Sequence, residues 1–409
     1  MWTRLIVMAG LFGWTWGFCP SGCSCDERIP SVKCVGARLD IVPSLLNPSI
    51  RKLDLAHNHI STLLLSFYDH LEYLDISHNQ LSHLEPDHFE QKDHLRELKL
   101  SHNNISALKN EAFKGLIGLH LLDLSHNSLA EVHPAVLINV PALRILLLAH
   151  NKLHLLAPRT FAGLKNLHVL DLCDNYFRRV PHEALKDLVN LQTLQMCRNR
   201  LSIIYSGDLP MPMLKSLTLE SNNIVKVESS GFHNLQNLQN LNLNSNLLDK
   251  VPTLAFASLL SLRSLYLSRN NFTQVNSRAF RGLIKLHSLE LSRCPLMTSI
   301  GATSLLDCVS LQNVTMSHNP LLSTIPESLF SSLPILRNLD LRANSLRTLS
   351  EMSLPWGSLQ HLDIRENPLE CNCSMQWMAT VLSSSNSTLT VADVQCSSPD
   401  KLRGVYISR

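Results

Sequence analysis

A nine-residue frame, Leu119-His-Leu-Leu122-Asp-Leu124-Ser-His-Asn127, returns about every twenty-four residues from Leu53 to Asn367. Its closing asparagine recurs at Asn58, Asn79, Asn103, Asn127, Asn151, Asn175, Asn199, Asn222, Asn246, Asn270, Asn319, Asn344 and Asn367, and Cys294 takes its place once, which makes fourteen turns. Within the frame side chains alternate as on a short strand, so Leu122 and Leu124 point inward while Asp123 points out. One turn cannot fold alone. Burying an apolar side chain yields roughly 1.5–3 kcal/mol, against roughly 1–2 kcal/mol for each backbone residue ordered. Stacking closes that gap, because each turn covers its neighbour's leucines and the asparagine amide can satisfy backbone groups where the chain leaves the strand.

This frame resembles the leucine-rich repeat, which implies an α/β repeat solenoid: a curved horseshoe with a parallel sheet on its concave side. A second column supports the register, since Phe89, Phe113, Leu137, Phe161, Leu185, Leu209, Phe232, Phe256 and Phe280 each follow a closing position at a fixed distance. They read as a convex spine. Spacing slips by one after Cys294 and Asn319, where Leu305 and Phe330 arrive late behind Pro295 and Pro320, so those two turns are expected to bulge. At a strand spacing of about 4.8 Å, fourteen turns span on the order of 65 Å. The formal charge of +3 is small and evenly spread, and no stretch shows a basic patch with interleaved aromatics, which argues against nucleic acid as a partner.

Residues 1–17 carry Arg4, an apolar run from Leu5 to Phe12 and a small residue at Gly17, the pattern of a secretory signal peptide. Residues 18–49 read as an N-terminal cap: Cys19, Cys23, Cys25 and Cys34 fall within sixteen residues, a density that belongs to oxidising compartments. Their spacing does not match the paired motifs of structural zinc. Repeats fill residues 50–368, and residues 369–409 form a C-terminal cap with Cys371, Cys373 and Cys396. An odd set of three suggests that the cap continues past Arg409 and supplies a fourth cysteine.

Certain irregular stretches narrow the resemblance further. Leu39-Asp-Ile-Val-Pro-Ser-Leu-Leu-Asn-Pro48, Leu65-Ser-Phe-Tyr68 before Leu71-Glu-Tyr-Leu-Asp-Ile, Ala112-Phe-Lys-Gly-Leu116, Leu289-Glu-Leu-Ser-Arg293 and Asn367-Pro-Leu-Glu-Cys-Asn-Cys-Ser374 are similar to the tartan/capricious group of insect neural cell-surface proteins. That resemblance implies an ectodomain for cell recognition and adhesion, with membrane anchoring only through a segment absent from this chain. It also implies the pairing of Cys19 with Cys25, Cys23 with Cys34, and Cys371 with Cys396, leaving Cys373 for a downstream partner.

Four cysteines lie inside the array. Cys173 and Cys197 occupy one position in consecutive turns, about 4.8 Å apart, but parallel strands hold their Cβ vectors parallel, so free, partly exposed thiols are expected over a bridge. Cys294 and Cys308 fall at core positions and are expected as two buried thiols, with a bridge between them as the alternative. His57, His78, His102, His126 and His150 form a column beside the closing asparagines. Stacked imidazoles can bind metal or respond to mild acid. However, Ser-His-Asn is an ordinary exit from such a strand and no carboxylate column accompanies it, so no metal is expected. No cofactor is expected either. Phosphate-cradling glycine loops, HExxH and GxSxG are missing, and Ser, His and Asp recur in register with the repeat, which is a scaffold property rather than a catalytic constellation.

The sequence therefore points to an extracellular or cell-surface binding protein, not an enzyme. Its partner is expected to be a protein ligand or receptor, a second copy of itself included; a soluble secreted innate-immune recognition factor or matrix component is the alternative. Outward strand positions are polar in most turns, as at Lys52, Glu97, Thr193, Ser216, Asn240, Ser264 and Ser288. Leu121, Ile145 and Val169 break that rule in one column and Leu147 in the next, which marks a candidate protein-binding patch. Candidate glycosylation sites are Asn104, Asn271, Asn313 and Asn386, with Asn104 and Asn271 on accessible loops and Asn372, between two cysteines, given the poorest access. A glycan on Asn313 would shield the late concave turns.

Overall fold

The computed structural model describes residues 18–26, 28–383, 390–391 and 394–407. The leader read over residues 1–17 and the glycosylation candidate Asn386 lie outside them. Each frame forms a three-residue strand, from Lys52–Asp54 to His361–Asp363, fourteen in all, and every strand pairs in parallel with the next. They belong to one 17-stranded sheet. The middle residue of each strand, such as Leu74, Leu98, Leu122, Leu146 and Leu170, is wholly buried, as strand alternation requires.

The asparagine is the joint between turns. Asn127 Nδ2 donates to the carbonyl oxygens of Leu124 and Ser125 in its own turn and of Leu100 in the turn before. Its Oδ1 accepts from the Ile105 N–H at 3.0 Å. The residue before it adopts a left-handed conformation in every turn, for example His126 at φ 52°. Histidine and other polar residues tolerate that region better than β-branched ones. From this position the His126 N–H donates to the Ala149 carbonyl oxygen, which carries the ladder one step beyond the strand.

On the convex side the nine spine residues are all buried, with Phe89 against Phe113 and Phe232 against Phe256 at 6.2 Å between ring centroids. In the two longer turns Leu305 and Phe330 are also buried. The concave register runs through them unbroken, Ser288 pairing with Asn313 and Asn313 with Asn338. The extra residue is taken up in the return loop instead, where Ser299–Ile300 pairs with Gln274–Val275 in a small parallel sheet.

Both ends of the array are tied. Ser24–Asp26 folds antiparallel onto Ser31–Lys33, which pairs in parallel with Lys52–Asp54. Cys19–Cys25 and Cys23–Cys34 bridges hold this hairpin across the first turn. At the other end the Cys371–Cys396 bridge and the helix Gln376–Ser383 cover the last turn, with Trp377 edge-on to Trp356 at 5.1 Å. Such caps shield leucines and strand edges that a bare terminal repeat would expose. No helix among the described residues is long and apolar enough to cross a membrane.

The internal cysteines require one correction. Cys173 and Cys197 are joined in a disulfide, with Cα atoms 4.5 Å apart, and are not free thiols. The objection from parallel Cβ vectors holds within the strands Val169–Asp171 and Thr193–Gln195, but both cysteines lie past the strand ends, where the pleat no longer fixes side-chain direction. Cys294 and Cys308 are buried and free, and Cys373 is exposed and free.

Candidate protein-binding surface

The sheet register sets the concave face in columns. Leu121 pairs with Ile145 and Ile145 with Val169, while Leu147 stands between Asp123 and Asp171 in the adjoining column. All four aliphatic side chains are half-buried, each covered on two sides by its neighbours. The patch is therefore a low, dry strip in a polar sheet rather than a protruding knob. Its dryness is felt by Asp171, whose carboxyl is pushed above the ordinary carboxylate range by burial, with the Cys173 N–H partly opposing that shift.

One strand closer to the N-terminus the same column continues through Glu97 to Tyr73. Tyr73 donates its hydroxyl hydrogen to Asp75 at 2.9 Å and accepts from Lys99 Nζ at 3.1 Å. Lys99 also lies 5.0 Å from the Tyr73 ring centroid and 3.6 Å from Asp75. Burial raises the Tyr73 pKa, and the bond to Tyr73 raises that of Lys99, so the pair stays a neutral phenol and an ammonium at neutral pH. These groups border a hollow of about 760 Å³ that reaches the first hairpin and includes Asp26, Lys33, Arg96 and Glu97. Tyr73 is not marked by the pattern of aliphatic residues in this column. The signal was present, since Tyr73 fills the same outward position as Leu121.

Asn313 lies at that outward position too, half-buried in the strand Asn313–Thr315, and its Oδ1 accepts from Asn338 Nδ2. Asn104 is exposed and Asn271 half-buried, each directly after a closing asparagine. Asn372 is exposed on the C-terminal cap, contrary to the poor access expected of it from its place between two cysteines.

The histidine column is stacked ring on ring along five turns. Among the described residues no group of three His, Cys, Asp or Glu side chains converges as metal ligands. Beyond the column the fold also gathers Tyr176, Arg178 and Arg179, neighbours in one stretch, with Arg200 from the next turn into a basic and aromatic cluster.

Seven segments match the family described as leucine rich repeat, at residues 48–105, 93–153, 141–201, 212–272, 237–296, 261–321 and 309–369. Human oligodendrocyte-myelin glycoprotein is 43% identical over 68 residues, which is 16% of this chain and 16% of that protein. Human Toll-like receptor 5 is 31% identical over 119 residues, 24% of this chain and 14% of the receptor. The chain thus matches about a sixth of the length of these curated relatives. Among solved structures, the complex of TLR13 with ssRNA13 superposes with a TM-score of 0.66 at 26% identity, covering 86% of this chain and 48% of that one.

Proposed function

The chain belongs to the leucine-rich repeat family, and on that footing we propose that it is an extracellular recognition and adhesion module of the tartan/capricious kind, binding a protein partner on its concave face. The observation that carries this reading is the column Leu121–Ile145–Val169, with Leu147 beside it, on a sheet face otherwise polar. Half-buried aliphatics ringed by Glu97, Asp123, Asp171 and Thr193 form the dry centre and polar rim of a protein interface. Tyr73 adds an aromatic with a fixed hydroxyl, the type of side chain that anchors such contacts. Bridged caps at both ends support passage through the secretory pathway. The names of the relatives, a glycoprotein and a receptor, agree with a place outside the cell.

A second reading, a soluble innate-immune recognition factor, is favoured by the likeness to Toll-like receptors. Expression of the natural transcript, with the product followed to the cell surface or to the medium, separates the two. The binding surface itself is tested by Ile145→Asp combined with Leu121→Asp. Loss of partner binding or of cell aggregation at normal secretion is the expected result; unchanged binding would overturn the assignment of the patch.

A further inference from the structure

His57, His78, His102, His126 and His150 stack with ring centroids 3.9–4.0 Å apart and planes within 14° of parallel. Each sits on a left-handed residue, so the backbone sets one ring over the next. The three inner rings are covered on both faces by their neighbours. The column ends on Asp174, whose carboxylate lies 3.3 Å from His150 Nε2 and is held by Arg198 Nε at 2.8 Å. Immediately beyond is a groove of about 570 Å³ lined by Arg178, Arg179, Arg200, Tyr176 and His154. The Arg200 guanidinium lies over the Tyr176 ring at 4.5 Å and that of Arg179 over Tyr205 at 4.6 Å, so rings rather than carboxylates fix both. Arg179 also donates to the Tyr205 hydroxyl at 3.0 Å, and its charge reaches the Asp208 carboxylate, as does that of His182.

We propose that the groove and the histidine ladder form one anion-binding stripe for a linear sulfated polysaccharide, held by the arginines at neutral pH and extended along the ladder in mild acid. The carboxylates that face the ladder are already engaged. Asp75 accepts from Tyr73 and Ser77, Asp123 from Ser125, Asp171 from the Cys173 N–H, and Asp174 from Arg198. On the loop side the ladder is flanked by His59, Gln80, Asn104, Ser128 and Lys152, which add no negative charge, so an Asn104 glycan borders the stripe. Five imidazoles face Asp75, Asp123 and Asp174, the last of which is shared with Arg198, so charge gained along the whole ladder exceeds what these three carboxylates answer. Burial and neighbouring imidazoles hold His78, His102 and His126 below the ordinary histidine range, which keeps these three rings neutral until the pH falls. A polyanion along the edges favours the protonated rings, and by reciprocity acid favours the polyanion. Sulfates need only charge and N–H donors. Single-stranded nucleic acid also needs open aromatic faces for its bases, and here the inner rings of the ladder cover each other and Arg200 lies over one face of Tyr176.

The test uses the secreted chain with heparin as probe, and hyaluronan and single-stranded poly(dT) as comparators, at about pH 7.5 and about pH 5.5 over a range of salt. Heparin affinity is expected to rise about tenfold in acid, with a salt dependence steeper by about two to three charges. Arg179→Gln with Arg200→Gln should weaken heparin about fivefold or more at both pH values. Replacing His78, His102 and His150 by Asn, which tolerates the left-handed backbone, should remove the acid gain and spare neutral binding. The same replacement at His287, His318 and His361, off the ladder, should leave the gain intact. An equal acid gain in the ladder variant, heparin binding that ignores pH, or stronger binding of poly(dT) than of heparin would each overturn the proposal. If a variant fails to fold, the wild-type salt slope at the two pH values still decides it.

Discussion

Asn127 donates its side-chain amide to the carbonyl oxygen of Leu100 at 3.0 Å, one full repeat back along the chain. The Leu100 oxygen also takes Asn103, so its loss of one donor is tolerable; the Ile105 N–H has Asn127 Oδ1 as its acceptor. Asn127→Ala is thus expected to cost about 3 kcal/mol, mostly from that buried donor left unmet together with the lost bonds. Cys294 gives the converse. Its Sγ donates over long distances, 3.6 Å to the Ser292 oxygen and 3.9 Å to the Leu267 oxygen. Cys294→Asn should restore the joint and raise stability by about 1 kcal/mol. Thermal unfolding followed by circular dichroism reads both, and a neutral Asn127→Ala would refute the joint as a source of stability.

Thiol chemistry separates the eleven cysteines. Burial pushes Cys294 up to about 11 and Cys308 up to about 12, and neither is open to solvent, whereas Cys373 is exposed. Alkylation of the folded chain without reductant should mark Cys373 alone, since the reactive species is an accessible thiolate. After denaturation, again without reductant, three thiols should react. A count of five would mean that Cys173 and Cys197 are not joined.

Much of this was legible because the repeat makes local sequence and long-range contact the same thing. Leu122, Asn127 and Phe113 each declare their partners by recurring at the period. What period alone does not carry was missed. The Cys173–Cys197 bridge depends on where the strand ends rather than on which column the residues share. Arg179 meets Tyr205, and Arg200 meets Tyr176, across turns some two dozen residues apart, so a search for basic and aromatic residues in one stretch does not find them. Tyr73 was hidden for a different reason: a tyrosine in an outward column looks polar by type, and only its bonds to Asp75 and Lys99 show it to be a fixed feature.

Acid should weaken the array through its ladder. His78 and His102 have pKa values below the ordinary histidine value, chiefly from burial, with repulsion from the neighbouring imidazoles. The folded state then binds protons less readily than the unfolded one. The stability this gives is complete above the ordinary value and is lost as pH falls through the folded values. The melting temperature should drop between about pH 7.5 and about pH 5.5, and His78→Asn with His102→Asn should make that drop smaller. An identical drop in the double variant would place the acid sensitivity elsewhere.

The concave patch and the glycan sites meet in a final prediction. Asn313-Val-Thr315 is a glycosylation signal set within a strand, with Asn313 at the outward position that Ile145 fills seven strands earlier. Glycopeptide mass spectrometry of secreted protein should find Asn104, Asn271 and Asn313 occupied. Asn313 lies about 29 Å from Val169, six steps of strand spacing, beyond the reach of the patch. Asn313→Gln should therefore leave partner binding as it is. Ile145→Asn with Leu147→Thr writes the same signal, Asn-Leu-Thr, at the same register inside the patch, without charge and without disturbing the buried Leu146. The variant should be secreted, glycosylated at position 145 and unable to bind its partner. Enzymatic removal of the glycan should recover only part of the binding, because the aliphatic pair is lost as well. Full binding by the glycosylated variant would move the partner off the concave face.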